Sequence, residues 1–219
     1  MQKALGTHIK LGFQYLRRDN LDSSRFHFSK ALNINPESPG VHNGLASLML
    51  REGDRETAEE HYLKALRYEP TFSQARNNYG SFLFTDKRYG EALENFIIAS
   101  KDISYNRRAL AFTNVGRSEL KVPVGDNVSR AEKAFARAIL LEPGSAEPYI
   151  ELADIAASKQ EYQAAQRLID NYVGQAGHSP RSLALQISVA SKTGDRNREA
   201  SAKMKLKSIF SKKPKNNNQ

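Results

Sequence analysis

Phe28-Ser29-Lys30-Ala31-Leu32-Asn33-Ile34-Asn35-Pro36 returns, 34 residues on, as Tyr62-Leu63-Lys64-Ala65-Leu66-Arg67-Tyr68-Glu69-Pro70. Each stretch runs from an aromatic through Lys-Ala-Leu to a proline. Proline lacks an amide proton and clashes with a continuing helix, so each copy reads as the end of a helix closed by Pro36 or Pro70. A 34-residue period is the signature of paired-helix tetratricopeptide repeats, whose pattern sets an aromatic, Leu-Gly and Tyr in the first helix and Ala, Phe, Ala and Pro in the second. Working outward, the first repeat offers His8, Leu11-Gly12, Tyr15, Ser24, Phe28 and Ala31. The second offers His42, Leu45-Ala46, Met49, Ala58, Tyr62 and Ala65, and the third Arg76, Tyr79-Gly80, Leu83, Ala92, Phe96 and Ala99. A fourth (Phe112, Val115-Gly116, Ala131, Phe135, Ala138, Pro143) needs about three extra residues near Pro123, and a fifth runs from Tyr149 to Gly177. A degenerate sixth keeps Leu183, Ile187, Ala200 and Met204.

The expected fold is therefore an all-α superhelix of about six repeats, near 5–38, 39–72, 73–106, 109–145, 146–179 and 180–209. Turns are expected at Asp19-Asn20, Gly53-Asp54, Asp86-Lys87, Gly125-Asp126 and Gly194-Asp195, each between two periodic segments. Residues 210–219 carry charge, Pro and Asn with almost no apolar content, and read as a basic disordered tail.

The 219 residues include no Cys, which excludes disulfides, thiolate metal sites and cysteine nucleophiles together. The formal net charge of +9 would suggest an anionic partner if it covered a folded face. It does not. Residues 192–219 hold nine of the 33 basic and two of the 24 acidic residues, a net of +7, so the body is almost neutral. With no base-reading module beside the basic end, nucleic acid is not an expected partner. Four of the five His fall at repeat-related positions, His8 with His42 and His27 with His61, and none has helical metal-ligand spacing. No phosphate loop or nucleophile elbow is present, so no catalytic residue, metal or cofactor is expected.

In such arrays the first helices line a concave surface. The register turns Asn43, Ser47, Gln74, Asn77, Asn78, Ser81, Asn114 and Arg117 inward, followed by Glu151 and Asp154. Asparagine amides donate and accept together, so a row of them suits an extended peptide backbone. The same amides could instead be solvated or hold neighbouring helices together. In the first repeat the inward positions Ile9, Phe13 and Leu16 form an apolar patch, open either to a partner segment or to cover by the chain's own start. The Lys and Arg clamp with which chaperone-binding repeat domains grip a terminal carboxylate is missing, its places holding Ile9, Phe13, Gly44, Gln74 and Asn78.

The third repeat is more specific: Arg76-Asn77-Asn78-Tyr79-Gly80-Ser81-Phe82-Leu83, then Lys87-Arg88-Tyr89 and Glu91-Ala92. This resembles the type IV pilus biogenesis and stability lipoproteins of the PilF/PilW (pilotin) family. The likeness continues through Ala99-Ser100-Lys101-Asp102, Asn114-Val115-Gly116, Glu161-Tyr162-Gln163-Ala164-Ala165 and Arg181-Ser182-Leu183-Ala184-Leu185. It implies a non-catalytic adaptor on the periplasmic face of the outer membrane, binding the pilus secretin or another pilus-assembly protein. Such an adaptor would promote secretin localisation or multimerisation, or pilus stability. The family's lipidated cysteine is not in this sequence, so the implied outer-membrane anchor lies outside it. The insertion near Pro123 and the basic tail depart from the family pattern. A monomer is expected. The alternative reading is a cytoplasmic tetratricopeptide scaffold or chaperone-like regulator that binds peptide segments of an unrelated client.

Overall fold

A computed structural model describes residues 2–122 and 124–211. Among these, twelve α-helices and no strand are found, and the chain divides into two compact units, Met1–Val122 and Pro123–Gln219. The first unit holds α1 (Gln2–Arg17), α2 (Leu21–Ile34), α3 (Pro39–Glu52), α4 (Arg55–Tyr68), α5 (Ser73–Thr85), α6 (Tyr89–Lys101) and α7 (Arg108–Glu119). The second holds α8 (Asn127–Leu141), α9 (Glu147–Ser158), α10 (Tyr162–Ala176), α11 (Pro180–Thr193) and α12 (Arg196–Ser211). Consecutive helices pair as α1/α2, α3/α4 and α5/α6 in the first unit, and as α9/α10 and α11/α12 in the second. The expected insertion lies between α7 and α8, with Pro123 itself outside the described residues. The expected tail is outside them from position 212 on, while Phe210 and Ser211 close α12.

The hairpin turn repeats one device. A residue with left-handed backbone stands just before the second helix at Asp19, Gly53, Lys87, Gly125, Gln160 and Gly194, with φ between 59 and 85°. The next residue often caps the helix: the side chains of Asn20, Asp54 and Asp126 accept from the amides of Ser23, Thr57 and Ser129. Those bonds satisfy amides that a helix start leaves without intrahelical partners.

Small residues let the helices close up. Phe28 is wholly buried, and a Cβ placed on Gly12 or Gly44 would come within 2.5 or 2.2 Å of its ring. In the third repeat Gly80 plays the same part against Phe96, at 2.7 Å. The Leu-Gly position of the pattern is thus the slot into which the second helix pushes its aromatic. Phe28 gathers Leu16, Val41, Leu45, Leu48 and Met49 into the core of the first two repeats. In the second unit Ile150, Ala153, Ile169, Tyr172 and Val189 form the corresponding core.

Candidate functional site

The inward positions of α3, α5 and α7 meet in pairs. The Asn78 amide donates to the Asn43 side-chain oxygen over 3.0 Å, and the Asn114 amide donates to that of Asn77 over 3.1 Å. Asn43 and Asn77 are buried, 0% and 2% exposed, so they stitch successive repeats together and do not face a partner. That corrects the expectation for these two: they are buried, and their side-chain oxygens accept from the next repeat. Asn78 and Asn114 are half-buried, with Gln74, Ser47 and Arg117, and Ser81 is exposed.

Two cavities follow this ladder. One, about 300 Å³, is lined by Ser47, Asn78, Ser81, Tyr62, Arg51 and Arg55, with Leu50, Phe82 and Thr85 completing it. The other, about 210 Å³, is lined by Ser81, Asn114, Arg117, Phe84, Thr85 and Phe96. Ser81 belongs to both, which makes them one track along the first helices. The Ser47 and Ser81 hydroxyls donate back to the Asn43 and Asn77 carbonyls, leaving short side chains where larger ones would fill the space. Gln74 lines neither cavity. Arg51, Arg55, Phe84 and Thr85 were not expected; they lie one turn further along the helices or at the hairpin. Arg51 pairs with Asp19, and Arg55 pairs with Asp86 while lying 4.7 Å above the Phe82 ring.

The first-repeat patch is largely spent on packing. Leu16 is 8% exposed and belongs to the core, Phe13 meets Phe28 edge-on at 5.2 Å, and Ile9 leans over Gly40. The chain's own helices cover it, which corrects the reading of Leu16 as a partner contact and leaves Ile9 and Phe13 half-buried.

Four histidines pair across their hairpins, His8 with His27 at 3.0 Å and His42 with His61 at 2.9 Å, both between Nδ1 atoms. His42 Nε2 lies 2.8 Å from the Pro36 carbonyl, which only accepts, so His42 carries its proton there and its Nδ1 accepts from His61. Burial, then the neighbouring His42 charge, lowers the His61 pKa to about 4; burial also lowers that of His42. Arg76 Nε and Tyr149 OH donate likewise to the Pro70 and Pro143 carbonyls six residues back. The place of the pattern's aromatic is therefore used as a donor that ties one repeat to the end of the last. No group of three or more metal-ligating side chains occurs among the described residues.

In the second unit the inward residues are charged. Arg181 donates to both Glu151 oxygens, at 3.2 and 2.9 Å, and pairs with Asp154. Hydrogen bonding to Glu151 raises the Arg181 pKa above its already high ordinary value.

Paired helices on a 34-residue period, with glycine slots for the second-helix aromatic, define a tetratricopeptide-repeat protein. The profile of the family described as "Tetratricopeptide repeat" matches residues 43–96. Over 208 residues the sequence is 32% identical to the type IV pilus assembly protein PilF of Pseudomonas aeruginosa, covering 95% of this chain and 81% of that one. The chain belongs to the PilF family. A solved structure from a functional characterisation of Pseudomonas aeruginosa PilF superposes with a TM-score of 0.89 at 32% identity, over 97% of this chain and 94% of that one. PilW, described as a widely conserved type IV pilus biogenesis factor, shares the fold with a TM-score of 0.82 at 20% identity, over 96% and 95% of the two chains.

Proposed function

We propose that this chain is a non-catalytic adaptor in type IV pilus biogenesis, and that the track through Ser47, Asn78, Ser81, Asn114 and Arg117 holds a segment of a pilus-assembly partner. The observation that carries the reading is the continuity of the two cavities through Ser81. Half-buried amides and hydroxyls beside Phe84 and the Phe82 edge give an extended segment backbone partners and shallow apolar seats. Kinship with a type IV pilus assembly protein supplies the process. The partner proposed is the pilus secretin, whose localisation or multimerisation the adaptor would promote, with pilus stability as the consequence. The proposed place of action is the periplasmic face of the outer membrane.

Ser81→Trp fills both cavities from an exposed position and disturbs no core contact. Its secretin pull-down should fall at least about tenfold at unchanged melting temperature. Undiminished capture would refute the groove as the secretin site.

A further inference from the structure

We propose that His8 and His27, facing each other across the α1/α2 hairpin, form a chelating site for a transition-metal cation of the Cu²⁺ class. Their Nδ1 atoms stand 3.0 Å apart with ring centroids at 5.2 Å, so the two nitrogens confront each other nearly head-on. An imidazole nitrogen binds such a cation over about 2.0–2.1 Å, so two of them at tetrahedral or square angles lie about 2.8–3.4 Å from each other. The spacing already present is that of a chelate. Each ring needs only to pivot about its last side-chain bond, a soft torsion, until both lone pairs meet on one ion. The ligands come from two helices, 19 residues apart in sequence, so no helical His spacing announces them.

The surroundings of this pair suit a cation. His27 is held in orientation by the Tyr15 ring, stacked on it at 8° and 5.4 Å, and by the edge contact with Phe26. Both histidines are half-buried, open enough for an ion to enter and for water to fill its remaining positions. Burial, then the His8 charge, lowers the His27 pKa, and no lysine or arginine contributes to that shift. One proton stands between the two Nδ1 atoms. On ligation it passes to the Nε2 of the ring that carried it, so two neutral imidazoles hold the ion with no net change in protonation. Of the divalent cations that imidazole suits, Cu²⁺ gains most. The twin pair, His42 and His61 at 2.9 Å, shows what closes such a site. His42 is 5% exposed, and the Lys64 ammonium helps to lower the pKa of both rings, a repulsion that a metal ion would meet as well.

Titration of the full chain with Cu²⁺ at neutral pH, in a buffer that does not itself bind the ion, tests this. The expected result is one held Cu²⁺ per chain, with two imidazole nitrogens in its electron paramagnetic resonance and a melting temperature that rises with Cu²⁺. Ca²⁺, which takes oxygen ligands, should leave the melting temperature where it was. His8→Gln and His27→Gln each leave a single ligand; each should weaken binding at least about tenfold and abolish the rise in melting temperature. His61→Gln should change neither. The resonance of the unaltered chain decides independently of how any variant folds. The proposal is overturned if that resonance shows one nitrogen or none, or if Ca²⁺ stabilises the chain as Cu²⁺ does. It is equally overturned if either His8→Gln or His27→Gln keeps the affinity, or if His61→Gln loses it.

Discussion

The two units solve the same problem, what to put on the inner face of the first helices, with different chemistry. In Met1–Val122 the sixth and ninth residues of successive repeats are Gly44 and Ser47, Asn78 and Ser81, then Asn114 and Arg117. In Pro123–Gln219 the first such pair is Glu151 and Asp154, both taken by Arg181. Neutral amides can join repeats through one bond each and stay short, which leaves room beside them. The guanidinium and its two carboxylates satisfy one another and occupy the space they enclose. A face that must receive a varied segment is better built from groups with unspent donors and acceptors than from an ion pair that already has its partner.

Four changes break or sharpen this contrast, in falling order of effect. Gly44→Ala, which forces a methyl onto the Phe28 ring, should cost about 3 kcal/mol or more in urea unfolding, since ring and both helices are held on every side. A loss below about 1 kcal/mol would show that the first unit yields where its packing is read as rigid. Arg181→Met should cost about 2–3 kcal/mol near neutral pH by taking the guanidinium away from the Glu151 carboxylate, which has only 11% side-chain exposure. Acid should weaken the first unit. His61 has a folded pKa near 4, below its unfolded value, so its contribution is complete above about pH 6.5 and is lost as pH falls toward 4. The loss should be about 2 kcal/mol, and His61→Phe should flatten that slope. The smallest effect is expected from Asn78→Ala, about 1–2 kcal/mol, because it removes the bond that the buried Asn43 side-chain oxygen accepts, while the Asn43 amide nitrogen has no partner among the described residues. Being a neutral pair, it should show no dependence on salt, whereas the Arg181 variant should.

Much of the fold was legible because repetition is a sequence property. The 34-residue spacing, the Gly12 and Gly80 slots and the turns at Gly53-Asp54 and Gly194-Asp195 all follow from it. The left-handed turn residue Gln160 left no sign, being neither Gly, Asn nor Asp. At the site, the register brought Ser47, Asn78, Ser81, Asn114 and Arg117 to one track, but not which amides would be consumed. That Asn43 and Asn77 are buried depends on how closely adjacent repeats approach, a distance no spacing encodes. The histidines are similar: their period explained where they recur, whereas their pairing depends on the 19-residue offset that sets two helices of one hairpin face to face. Arg181 reaches back 30 residues to Glu151, beyond any local pattern.

The central claim is that the first unit's track, and not its outer side, carries the partner. A photocrosslinking side chain introduced at Ser81, compared with one at exposed Glu60 on α4, tests it in cells that assemble pili. The account predicts a crosslink to a pilus-assembly protein from position 81 and none from position 60; a product from position 60 alone would contradict it.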